Sequence, residues 1–118
     1  MESENNLRAA QQSPRIENEA IRWYCGDTFD LELHIDLTDQ DGKAVSISPA
    51  GKVKVVFRDR SDAVVKTFEC SGITGNTVKL PFNADTTALF GIGSYQYDIY
   101  LEDGKRTTIA NDNKAVVE

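Results

Sequence analysis

The chain is short of the residues that most enzymes and metal sites are built from. It has a single histidine, two cysteines, one tryptophan and one methionine in 118 residues. His34 stands between Glu32 and Asp36 on what reads as the polar side of a strand, with no nucleophile motif beside it, so a general base lacks a visible partner. No G-x-S-x-G elbow occurs. "GIGSYQ" has the glycines of a phosphate loop but precedes a strand instead of joining strand to helix, which removes the helix N-terminus such a loop needs. Cys25 and Cys70 have no further Cys or His near them at ligand spacing, which argues against zinc. Their expected state is two reduced thiols, with an inter-sheet bridge as the alternative in an oxidising compartment.

Positive charge is also scarce. Thirteen basic residues against nineteen acidic ones give a formal charge of −6, and the lysines are scattered, so no basic face for nucleic acid is expected. Apolar runs are only a few residues long, against the roughly 20 that a helical membrane span requires. "MESENNLRAAQQSPRIENEA" lacks a basic stretch followed by an apolar one. No signal peptide is therefore read, and synthesis in a bacterial cytoplasm is the default expectation.

Residues 1–19 are polar and almost without apolar periodicity, and they are expected to form an arm outside the core. "NLRAAQQ" has room for a helical turn or two, marginal on its own. Residues 20–118 read as one domain. "AIRWYC" is rich in β formers. "TFDLELHIDL" alternates, with Phe29, Leu31, Leu33, Ile35 and Leu37 on one side and charges on the other, which is the pattern of a half-buried strand. "TDQDGK" is a turn, followed by a short "AVSI".

Further strands are read in "KVKVVFRD", "VVKTFEC" and "TVKLPF", where Pro81 argues for an edge or a strand end. "NADTTALF" reads as one helical turn over about 84–90, capped by Asn83 or Asp85. "GSYQYDIYLEDGK" then places Tyr95, Tyr97, Ile99 and Leu101 inward. "RTTIA", a linking "NDN" and a final "KAVVE" close the chain. Seven to nine short strands with regular turn signals predict an all-β, antiparallel sandwich.

The acidic set Asp27, Asp30, Glu32, Asp36, Asp39 and Asp41 suggests a calcium loop, but its spacing fails. Leu37 stands two residues before Asp39, and Ser48 occupies the place of the bidentate glutamate. Solvated acids and a hairpin turn account for the set. Outward-facing Tyr100, with Trp23 and Tyr24, is the candidate exposed aromatic contact, and such a cluster is what a carbohydrate-binding or adhesion module would need.

"GSYQY" resembles the G-x-Y-x-C segment that opens strand F of an immunoglobulin domain, with Tyr97 in the cysteine's place. By that resemblance Tyr95 is a tyrosine-corner residue and the inter-sheet disulfide is lost. Trp23 lies too early to be that family's core tryptophan. "YCGDTFDLELHIDLTDQDGKAVSIS", "TTALFGIGSYQYDIYLEDGKRTTI" and the terminal "AVVE" together resemble small phage and prophage virion proteins, in particular the immunoglobulin-like N-terminal domain of baseplate upper proteins. The likeness runs from Ile21 to Glu118 and departs at "NDN", where a glycine often stands in that family.

It implies a non-enzymatic structural part of a baseplate, tail or capsid accessory, assembled in the host cytoplasm into the virion. Partners would be other virion proteins or further copies of the chain, with no cofactor, nucleic acid or membrane. Asn6, Leu7, Ile16, Ile21, Trp23 and Tyr100 are the candidate interface residues.

Overall fold

In the computed structural model, which describes residues 14–17 and 20–118, nearly all regular structure is β. A six-stranded sheet and a two-stranded sheet pack face to face. The elements in chain order are β1 (Arg15–Glu17), β2 (Ala20–Trp23), β3 (Phe29–His34), β4 (Lys52–Arg58), β5 (Val64–Cys70), β6 (Thr77–Phe82), the single-turn helix α1 (Ala84–Thr87), β7 (Gly93–Glu102) and β8 (Arg106–Val117). The large sheet has the order β1-β2-β8-β7-β4-β5, and the small one pairs β3 with β6.

The period-two pattern sets these strands' faces. Val53, Val55 and Phe57 of β4 are fully buried, as are Val78, Leu80 and Phe82 of β6. They meet across the sandwich around Trp23, whose ring lies 5.1 Å from Phe82 and 5.6 Å from Phe90. Phe57 is the second hub, edge-on to Phe90 and stacked 5.3 Å from Tyr97. Such aromatic pairs add about 0.5–1.5 kcal/mol each beyond the area they bury.

Turn chemistry falls where the sequence places it. Asp39 accepts the Asp41 and Lys43 amides, and Gly42 sits at φ 80°, a conformation that glycine adopts without penalty. Asn83 caps α1 by accepting the Thr86 amide at 2.9 Å. Gly51 is tightly packed: an added Cβ would lie 3.1 Å from both Ile47 Cγ2 and the Ser48 carbonyl, so these would have to give by a few tenths of an ångström.

Four features differ from the sequence reading. Residues 15–17, assigned to the arm, pair antiparallel with β2 and extend the large sheet. The sandwich is not wholly antiparallel, since β2 runs parallel to the end of β8, Ile21 opposite Ala115 and Trp23 opposite Val117. "AVSI" is no strand. Asn76 holds it instead, its side chain accepting the Ile47 amide and donating to the Val45 carbonyl, both at 2.8 Å. Finally, "RTTIA", "NDN" and "KAVVE" form one strand. Tyr97 pairs with Asn113 while Ile99 pairs with Ala110, so β8 carries an extra residue there and "NDN" is a β-bulge.

Candidate functional site

The bulge completes a polar cluster on the outer face of the large sheet. Asp112 adopts φ 56°, and its amide donates to Asp98 Oδ1 at 2.8 Å. Arg58, on neighbouring β4, reaches Asp98 Oδ2 at 3.0 Å and Asp112 Oδ1 at 2.8 Å and also pairs with Asp62. The Tyr100 hydroxyl donates to Asp98 Oδ2 at 3.2 Å.

Asp98 is only 3% exposed although alternation assigns it to solvent. Burial alone would push its carboxyl up. The Asp112 amide, Arg58 and Tyr100 outweigh that and hold it below the usual carboxylate range. The carboxylates of Asp112, Asp98 and Asp62, Asp112 foremost, raise the Arg58 guanidinium above its ordinary value. With its charge shared among three carboxylates, Arg58 is not free to bind an anion. The cluster's chemistry is that of a lock tying β4, β7 and the β8 bulge together.

A second polar arrangement looks more like catalysis. His34 Nε2 lies 3.1 Å from Asp36 Oδ1 and His34 Nδ1 lies 3.2 Å from Thr77 Oγ1. Thr77 is 43 residues away in sequence, which is why alternation in β3 gave no sign of it. The His34 and Asp36 side chains are 61% and 89% exposed. A relay in open water gains nothing from a low-dielectric, preorganised surrounding, so the arrangement is a surface cross-strand contact.

The residues singled out from the sequence separate into two groups. Tyr95 donates its hydroxyl to the Gly91 carbonyl at 2.8 Å, four residues upstream. Tyr100 is half-buried, with Arg106 stacked 3.8 Å over its ring. Ile16, on β1, is 81% exposed.

Trp23 requires correction as an exposed contact residue, and Ile21 is reached only through the groove it lines. Trp23 is fully buried and Ile21 is 4% exposed, because parallel pairing with β8 turns both into the core. Asn6 and Leu7 lie outside the described residues. Cys25 and Cys70 are both free thiols. Among the described residues no group of three or more His, Cys, Asp or Glu side chains is placed to hold a metal.

What the sequence did not reveal is the open side of the sandwich. Among the described strands β3 pairs only with β6. Between β3 and the β1–β2 hairpin runs a groove of about 440 Å³, lined by Pro14, Arg15, Ile16, Ile21, Asp30, Leu31 and Glu32. Its walls are apolar; Asp30 and Glu32 stand along the β3 side, and Arg15 stands on the hairpin side. Arg15 and Arg22 both reach the Glu118 carboxylate, at 2.5 and 3.5 Å, which fixes the hairpin that forms one wall. No protein-family model, no curated protein and no solved structure matches this chain.

Proposed function

We propose that the chain is a non-enzymatic structural module of a phage or prophage particle, a baseplate, tail or capsid-accessory protein that works through protein–protein contacts. The observation that carries the reading is the open edge of β3 beside an apolar groove, at the side where the chain enters its first strand. Exposed strand edges are surfaces that add strands from another chain, and a protein of a repeating assembly uses such contacts. The motif likeness to virion proteins supports the same reading.

The polar clusters fit it as well. Arg58 and Asp98 are consumed by one another, and the His34 contact stands in solvent. For the adhesion alternative, Trp23 is unavailable as a binding platform and Tyr100 is covered on one face by Arg106.

The test is co-purification. Particles induced from cells encoding the chain are purified by density and assayed by quantitative mass spectrometry. The chain is expected in fixed, multi-copy ratio to the major particle proteins. Recovery only outside the particle fraction would overturn the reading.

A further inference from the structure

We infer that the groove beside β3 is the docking site for residues 5–11 of a neighbouring copy, which add to β3 as an extra strand. This deepens the assembly reading above and rests on it.

The parity of β3 shows which backbone groups are available. The amide of Ile35 donates to the Asn76 carbonyl at 2.8 Å, so the odd-numbered residues of β3 bond toward β6 and the even-numbered ones point away. The N–H and C=O groups of Asp30, Glu32 and His34 therefore face the open side. Pro81 agrees with this parity. It is opposite Asp30, in a pair that exchanges no hydrogen bonds, so its missing N–H falls on the outer edge of β6. That edge is blunted against pairing, and the edge of β3 is not.

Charge selects the occupant. Two copies of β3 paired antiparallel would bring Asp30 and Glu32 against the same acids, which is destabilising. The incoming strand must be neutral or basic on its outer face and apolar on its inner one. Residues 5–11, "NNLRAAQ", meet both conditions. In extended form Leu7 and Ala9 face the groove wall of Leu31, Ile21 and Ile16, and Arg8 lies outside beside Asp30 and Glu32. The segment's helix is too short to compete in isolation.

The route favours a neighbour over the chain's own groove. Pro14 lines the groove mouth, and the residue before a proline is biased to extended backbone. A route onward from Pro14, and not back into the same groove, is part of the proposal. Thirteen residues span up to about 43 Å when extended, enough to reach an adjacent subunit.

Two readouts test this with the full chain. In the first, amide exchange is followed at Asp30, Glu32 and His34 in the wild type and in Leu7→Asp, a position outside the described residues, with the Leu31 and Leu33 amides as the control for an intact fold. At high concentration those three amides are expected to exchange at least about tenfold slower in the wild type than in the variant. Leu31 and Leu33, bonded to β6, should be unchanged. Equal exchange in both proteins would overturn the inference.

In the second, Arg8→Cys and Glu32→Cys, each carrying Cys25→Ser and Cys70→Ser, are mixed and oxidised. A disulfide joining one copy of each is expected. Absence of the mixed species would also overturn it. Co-purification with particles would be untouched by either failure, so the two readings fall separately.

Discussion

Asp98 accepts the amide of Asp112 at 2.8 Å, across a bulge that alternation alone does not reveal. The contact turns a surface position into a buried one. Asp98→Ala would leave the Arg58 guanidinium, whose side chain is 17% exposed, facing only Asp62 and Asp112. Because those two carboxylates still compensate Arg58, the loss comes mainly from the contacts of Asp98 itself, and a lower urea midpoint than wild type is expected.

The same carboxyl sets a pH dependence. A group whose folded pKa lies below its unfolded value stabilises the fold above the unfolded value, near 4 for aspartate. That contribution disappears as pH falls through the folded value. Asp98 is held low, so wild-type stability should decline on acidification below about pH 4. Asp98→Asn should show a shallower decline, and the two curves should converge at low pH in urea melts.

Tyr95→Phe removes one hydroxyl and keeps the ring, which stands edge-on 5.1 Å from Phe90. The Gly91 carbonyl loses its 2.8 Å partner, and a loss of about 1 kcal/mol is expected, measurable by chemical denaturation. Burial also raises the phenol's pKa. Its neutral form therefore favours the fold below the ordinary value near 10, and this contribution is lost as pH climbs beyond it.

Trp23→Phe and Trp23→Ala separate a core role from a contact role. The ring is fully buried among Phe29, Phe57, Phe82 and Phe90. Trp23→Ala should cost about 3–5 kcal/mol, and the wild-type fluorescence should be blue-shifted and shift red on unfolding. Red emission from the folded protein would contradict the placement.

The two thiols should differ in reactivity. Cys25 is exposed, whereas Cys70 is partly covered and burial pushes its thiol pKa up. The thiolate is the reactive form, so a mild alkylating agent should modify Cys25 first, and mass spectrometry of the singly labelled protein should locate the label there.

Much of this fold was legible because burial follows strand parity: β4 and β6 could be assigned face by face, and Asp41-Gly42, Asn83 and Tyr95 announced their own local bonds. What escaped depends on partners distant in sequence. Trp23 looked exposed because only pairing with β8 turns it inward. Asp98 looked solvated because Arg58 and the Asp112 bulge, which cover it, come from other strands. The open edge of β3 is a property of sheet order, to which no single stretch of sequence refers.

The central claim is that copies of this chain assemble through the segment before Pro14. The most direct measurement is solution mass by light scattering over a concentration series, for the full chain beside full-length Leu7→Asp. A defined oligomer in the wild type and a 13.1 kDa monomer in the variant are expected. A wild-type chain that stays monomeric throughout, or an oligomer that survives the substitution, would contradict it.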